Sequence, residues 1–258
     1  MPLSPPHTVT FDCWSTLIHE AASSAGPKAR AEAFARLSGV DPERAAAAIT
    51  EAWKIHQVRW HERVAFTGRD MTRHALDALG VELDPGRFEA ILATLEDEIL
   101  NHDVVAIDGA REALERLAER GVRRALVCDT GFSPGRVVRQ LLHRVGLLDY
   151  LEVTIFSEEV GVPKPHARAF RAALSGLGVG IEGAVHVGDL RRSDIAGARS
   201  LGMGTVRFAG HNDDGASGPR ATAGVIDCVR AGCVPHCPRP EADAVIHSYS
   251  ELDRVLGY

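Results

Sequence analysis

The chain has 258 residues, 45% of them hydrophobic, which suits one large domain or a core carrying one modest insert. A net charge of −6 gives no basic footprint for nucleic acid, and no apolar run reaches membrane-spanning length. Met1-Pro2-Leu3-Ser4-Pro5-Pro6 lacks the charged start and apolar centre of a secretory signal, and five cysteines make no disulfide framework at this length. A cytoplasmic monomer or homodimer acting on a small molecule is the expectation.

The first strand is Thr8-Val9-Thr10-Phe11, β-branched and aromatic, and it stops on Asp12. In open α/β sheets ligands sit at the carboxyl ends of the strands, so Asp12 stands where a nucleophile would. The plain alternative is an aspartate capping a turn.

Residues 20–104 read as helix throughout. Ala29 to Leu37 and Pro42 to Val64 carry apolar residues at three-to-four spacing, with Asp41 as N-cap and Pro42 as first helical residue. Asp70 to Leu79 is stopped by Gly80. Asp84-Pro85 opens a fourth helix to about Asn101, with a stripe of Phe88, Ile91, Leu92, Leu95, Ile99 and Leu100. Four helices without an intervening strand predict a bundle-like cap at 18–104 on a core formed by 1–17 and 105–258.

Alternation then resumes. Helices are expected at Ala110–Arg120, Pro134–Val145, Ala167–Leu177, Asp194–Leu201 and Ser250–Leu256. Strands are expected at Arg124–Val127, Leu151–Phe156, Ala184–Val187, Thr205–Phe208 and Ala244–His247. This rhythm predicts a doubly wound, mainly parallel sheet. Residues 209–240, rich in Gly, Pro, Asp and Cys, break it and read as a surface excursion with a short helix near Val225–Val229.

Three later segments answer Asp12: Val127-Cys128-Asp129-Thr130 at a strand end, Gly161-Val162-Pro163-Lys164-Pro165, and Gly188-Asp189-Leu190-Arg191-Arg192-Ser193-Asp194. Lys164 would neutralise repulsion between Asp12 and a phosphate dianion and hold Asp12 ionised. Asp189 and Asp194 beside Asp12 would make an all-oxygen site suited to Mg²⁺, although Asp194 also reads as a helix N-cap. Ser15 and Thr16, with Cys128, Asp129 and Thr130, would hydrogen-bond the transferring group.

Taken in this order, these motifs resemble the haloacid dehalogenase-like hydrolases, over about residues 7–17 and 105–210. The resemblance implies a Rossmann-like core, a helical cap that closes over the site and selects substrate, and a covalent aspartyl intermediate on Asp12. It implies Mg²⁺ held by Asp12, Asp189, Asp194 and the main-chain carbonyl of Trp14. It also implies Ser or Thr at the second strand's end, where this register offers Cys128 or Thr130. The family's phosphatases carry an acid–base aspartate where this chain has Trp14. That departure leaves three chemistries open.

The first is a phosphatase acting on a small metabolite, with a good leaving group or an acid borrowed from the cap. The second is 2-haloacid dehalogenation, which Trp14 favours. The retained acidic motif opposes it, as does Phe170 where that branch has a tyrosine. The third is phosphonoacetaldehyde-type cleavage through a cap Schiff base on Lys54, against which stands a solvated helix face. A non-catalytic ligand-binding relative is the remaining class, and the retained Asp12 and Lys164 argue against it.

In the cap, Trp53, His56 and Trp60 share one helix face while Lys54, Val58 and His61 share another, with Arg59 between. The sequence does not decide which face meets the substrate. Cys228, Cys233 and Cys237, with His211 and His236, hold one close cysteine pair. Structural zinc needs a second, so incidental thiols are the expectation.

Overall fold

The computed structural model describes residues 3–21, 27–212 and 241–258. The expected helix near Val225–Val229 and the Cys228, Cys233, His236 and Cys237 cluster lie outside them.

The chain enters through β1 (Thr8–Phe11) and a three-residue strand β2 (Ile18–Glu20), then builds α1 (Pro27–Ser38), α2 (Pro42–His61), α3 (Gly68–Leu79) and α4 (Pro85–Asp97). It returns through a 3₁₀ turn (Glu98–Asn101) to β3 (Val104–Ala106). Helices and strands then alternate as α5 (Ala110–Glu119), β4 (Arg123–Cys128), α6 (Gly135–Arg144), β5 (Val153–Phe156), α7 (Ser157–Val160), α8 (Ala167–Leu177) and β6 (Ala184–Gly188). A π-turn (Arg191–Ile195), α9 (Ala196–Ser200), β7 (Gly204–Phe208), β8 (Ala244–Ile246) and α10 (Leu252–Val255) complete it.

Six strands form one parallel sheet in the order β5-β4-β1-β6-β7-β8, the doubly wound sheet that the alternation predicts. Alternation along β4 shows why both faces are covered. Leu126 and Cys128 join the packing of α5 and α6, while Ala125 and Val127 join that of α8. From β1 the chain winds outward to β5, then crosses back to β6. The strand order therefore reverses between β1 and β6, the place where such sheets bind ligands.

The four cap helices close a ring in which α1 touches α2 and α4, and α3 touches the same two. Phe34, Ile49, Met71, Leu76, Ile91 and Leu95 fill its centre. The caps are those the sequence offers. Asp41 accepts from the Glu43 and Arg44 amides (3.0 and 3.2 Å), and Asp84 from Arg87 (3.0 Å). α3 begins two residues before the expected Asp70, because Thr67 and Asp70 form a reciprocal capping box. α2 stops at His61, short of Val64, and the last turn of the fourth helix tightens to 3₁₀.

Periodicity missed β2 and β3, which are too short to show a pattern. They pair antiparallel, Ile18 with Ala106 and Glu20 with Val104, so the outgoing and returning chains run side by side as a ribbon. His102 ties the ribbon to the cap by meeting Glu20 at 2.6 Å and Glu98 at 2.9 Å. No helix among the described residues is long and apolar enough to cross a membrane.

Candidate active site

Asp12 ends β1 at the sheet's centre, buried, with its amide bonded to the Val187 carbonyl (2.8 Å). The following loop is tightly wound. Leu17 and Ile18 both return their amides to Cys13, Ser15 takes a left-handed φ of 59°, and the buried Tyr249 hydroxyl holds the Thr16 carbonyl (2.9 Å). The Thr16 hydroxyl donates to Asp12 Oδ2 (3.1 Å). Thr16 thus orients the aspartate and does not line the crevice, whereas Trp14 and Ser15 do.

Lys164 lies under the same strand ends, buried, with Nζ 2.5 Å from Asp12 Oδ1 and 2.7 Å from Asp194 Oδ1. Burial would lower its pKa, but Asp12, Asp194 and Asp129 outweigh burial and hold it well above the usual lysine range. Asp194 is fixed by a device the sequence did not announce. The helix expected from Asp194 starts instead as a π-turn, a widened turn frequent at functional sites. The turn folds Asp194 Oδ2 back onto the Leu190 amide (3.0 Å). Behind it, His186 Nε2 stands 3.2 Å from Asp194 Oδ1, and His186 Nδ1 stands 2.8 Å from the Thr10 hydroxyl. A fully buried histidine inside an apolar strand was the available signal for this relay.

Asp189 completes the cluster, and its Oδ2 accepts from the Asn212 amide (2.8 Å). Asp12, Asp189 and Asp194 each bring an oxygen within 4.8 Å of the others. Three carboxylates face one ammonium, leaving two negative charges without compensation in a buried site. Burial, despite the pull of Lys164, raises Asp12 to about 6, and burial together with the other two carboxylates pushes Asp189 well up. Asp194 goes the other way: burial is overcome by Lys164 and His186, which hold it below the usual carboxylate range. An all-oxygen donor set with that charge deficit fits a hard divalent cation. Neither arginine of the motif fills the space, for Arg191 pairs with Glu241 (2.8 Å) and Arg192 lies over the Trp60 ring (3.8 Å).

The end of β4 corrects part of the expected donor set. Cys128 is a core thiol beside Cys13, its pKa raised by burial, and it does not line the crevice. A thiol at that depth cannot reach a substrate. Asp129 and Thr130 do line the crevice. Both Asp129 oxygens are engaged, Oδ1 by the Lys164 amide (2.9 Å) and Oδ2 by the Trp60 indole N–H (2.7 Å). Thr130 donates its hydroxyl to Glu158 (2.6 Å), which also accepts the Gly135 amide. Trp60 and Glu158 were the unrecognised partners here.

The cap presents the face carrying Trp53, His56 and Trp60 to the crevice, with Gln57 beside them. Lys54 faces solvent on the other side, 60% exposed and paired with Glu51 (3.3 Å). It is therefore not a substrate-binding residue, and the Schiff-base chemistry built on it fails. Gly131 makes room for the cap: a Cβ there would stand 2.7 Å from the Trp53 ring. The crevice has a volume of about 410 Å³. His211 also lines it, its ring tilted at 34° to that of His19 with centroids 4.2 Å apart.

Strand ends that converge acidic and basic groups beneath a helical lid define a capped α/β hydrolase. The chain belongs to the haloacid dehalogenase-like hydrolases, whose family model matches residues 6–202. A glyceraldehyde 3-phosphate phosphatase from Pyrococcus abyssi is 39% identical over 102 residues, 40% of this chain and 42% of that protein. The match thus spans about two fifths of that relative's length. Among solved structures, a HAD phosphatase from Thermococcus onnurineus superposes with a TM-score of 0.61 at 22% identity, covering 97% of each chain. L-2-haloacid dehalogenase from Xanthobacter autotrophicus gives 0.58 at 20% identity, over 97% of this chain and 98% of that one. At such identities both show the fold alone, so they do not choose between the two chemistries.

Proposed function

We propose that the protein is a Mg²⁺-dependent phosphatase that transfers a phosphoryl group from a small phosphorylated metabolite to Asp12 and then to water. The observation that carries this reading is the Lys164 ammonium bonded at once to Asp12 and Asp194, with Asp189 completing a buried carboxylate cluster. A dehalogenase needs no cation, and nothing in its chemistry calls for two further buried carboxylates. Phe170, at the position of that branch's tyrosine, packs edge-on against His186 (5.0 Å) and has no hydroxyl to offer. The named phosphatase relative supports the same choice.

Asp12, Asp189, Asp194 and the Trp14 carbonyl would hold Mg²⁺, which supplies the positive charge that offsets repulsion between carboxylate and phosphate. Thr16 holds Asp12 Oδ2 in place, and Lys164 keeps the nucleophile ionised. An Asp12 oxygen attacks phosphorus, the ester P–O bond breaks, and the bonding pair leaves with the alcohol oxygen. Water then opens the aspartyl phosphate and releases phosphate. We place the cap at residues 18–104, bounded by the β2–β3 ribbon, and the core at 1–17 and 105–258.

Phosphate release from acetyl phosphate and phenyl phosphate, with Mg²⁺ and with excess chelator, tests the reading. Mg²⁺-dependent release is expected. Halide release from 2-chloropropionate under chelator, without phosphatase activity, would overturn it.

A further inference from the structure

The chain has only three tryptophans, and all three line the crevice: Trp14 beside the nucleophile, Trp53 and Trp60 from the cap. Trp53 lies near-parallel to Phe132 (11°, centroids 6.2 Å apart) and stacks on His56 (23°, 5.0 Å). At 37% exposure it is one of the few large apolar side chains left open to solvent among the described residues. The charged groups of this wall are already engaged. Arg30 donates to the Leu95 carbonyl (2.9 Å) and covers Phe132, and Glu20 is bonded to His102 (2.6 Å). Gln57 differs. It is only 5% exposed, it lines the crevice, and its side-chain amide has no hydrogen-bond partner among the described residues. The amide's polar atoms open onto the crevice, where a ligand group can pair with them.

We propose, resting on the phosphatase reading, that the substrate is the phosphate ester of a planar aromatic alcohol whose ring carries a hydrogen-bonding substituent that Gln57 reads. The rings recognise flatness, as aromatic platforms do for any π-face. The Gln57 amide, with one acceptor and two donors, recognises an edge. A crevice of about 410 Å³ lies in the range that takes a ligand with a ring body.

Trp14 points to the same class independently. It cannot protonate a leaving oxygen, and a phenol titrates near 10 whereas water titrates near 15.7, so a phenolate departs without help where an alkoxide does not. The ester P–O bond breaks with its electron pair on the phenolate. In the second step water supplies an OH to phosphorus, and its other proton goes to the phenolate.

Inhibition by phosphonates tests recognition apart from leaving-group chemistry. Wild-type enzyme turning over acetyl phosphate is titrated with benzylphosphonate, cyclohexylmethylphosphonate and 4-carbamoylbenzylphosphonate. Stacking predicts a Ki for the benzyl compound at least about fivefold below the cyclohexylmethyl one, since each stacked ring contributes roughly 1–3 kcal/mol. Simple burial of apolar area predicts no such preference. The carbamoyl ring should bind more tightly still, and Gln57→Leu should remove that extra gain. Trp53→Leu should collapse the benzyl preference and Trp53→Phe should keep most of it. Equal Ki values for the flat and puckered rings, with acetyl phosphate still hydrolysed, would overturn this inference and leave the phosphatase reading standing. Failure to hydrolyse acetyl phosphate would overturn both.

Discussion

The two walls of the crevice are built by opposite means. At the carboxyl ends of β1 and β6, charges are locked by short bonds to neighbours that the sheet itself positions: Lys164 to two carboxylates, Asp194 to its own turn, and His186 behind it. The cap wall opposite is made largely of rings that touch through packing, and the indole N–H of Trp60 ties it to Asp129 at the end of β4. One wall holds the reacting groups by direct polar contacts of 2.5–3.2 Å. The other selects by shape and needs no charge of its own. Variants on each wall should therefore fail differently.

The largest effect is expected at the core wall. Asp12→Asn keeps the shape and removes the nucleophile, and loss of such a group costs on the order of 10⁴-fold or more in kcat. Phosphate release under saturating substrate measures it. Activity within tenfold of wild type would show that another group attacks phosphorus.

Trp14 stands where the walls meet. Trp14→Asp should raise turnover of alkyl phosphates by roughly 10²–10⁴, the range a positioned acid supplies. Trp14→Ala is the control for simple widening of the crevice. Equal gains in both variants would show that space, not a proton, was lacking. His56, which lines the crevice with Nδ1 held by the Phe66 carbonyl (2.7 Å), would then be the candidate donor.

These contrasts also explain what was legible in the sequence. Asp12, Lys164, Asp189 and Asp194 could be read because strand ends in a parallel sheet converge whatever lies between them. The four cap helices were legible from periodicity and from Asp41 and Asp84 as caps, whereas the Thr67 cap of α3 was not read. The facing of α2 was not, because period alone makes the Trp53 and Lys54 faces equally good candidates. Packing of α2 against α1 and α3 decides it. The Trp60–Asp129 bond spans 69 positions and carries no local signal. Cys128 misled for a related reason: one residue of register separates a strand's core side from its crevice side.

Lys164 sharpens the difference as a stability effect. Lys164→Met leaves Asp12 and Asp194 buried without their shared cation, and breaking such a pair costs about 3–5 kcal/mol. Urea unfolding in chelator should show it, with partial recovery in Mg²⁺. An unchanged midpoint would mean that the carboxylates are neutral in the folded protein.

The same charge deficit sets a pH dependence. Asp12 is raised to about 6 and Asp189 is also pushed up, so without metal the folded protein keeps protons that the unfolded chain has released by about pH 5. Stability from Asp12 is full below the ordinary carboxylate range and is lost as pH rises through about 6, and Asp189 adds a loss of the same sign on alkalinisation. Asp194 has the opposite sign, but its contribution is lost only on acidification below that range. In chelator, Tm should fall between pH 5 and pH 7. Mg²⁺ at a hundred times its Kd should add about 2.7 kcal/mol, a rise of roughly 5–10 °C at pH 7. A Tm indifferent to Mg²⁺ at pH 7 would rule out a cation in this cluster.

The smallest effect belongs to the cap wall and tests whether the Trp60–Asp129 link matters. Trp60 donates its indole N–H to Asp129 Oδ2 (2.7 Å) while Arg192 covers its ring. Trp60→Phe keeps a ring under the guanidinium and deletes only the donor. Asp129 retains the Lys164 amide on Oδ1, so it is not stranded. A hydrogen bond to a charged group contributes about 1.5–3 kcal/mol, and the low end applies because Trp60 is half-buried. That cost falls on docking α2 against the end of β4, so KM should rise about tenfold with kcat changed less. Trp60→Leu, which also removes the ring, should raise KM further. If Trp60→Phe matched wild type while Trp60→Leu did not, ring packing alone would dock the cap, and the contrast between the two walls would be complete.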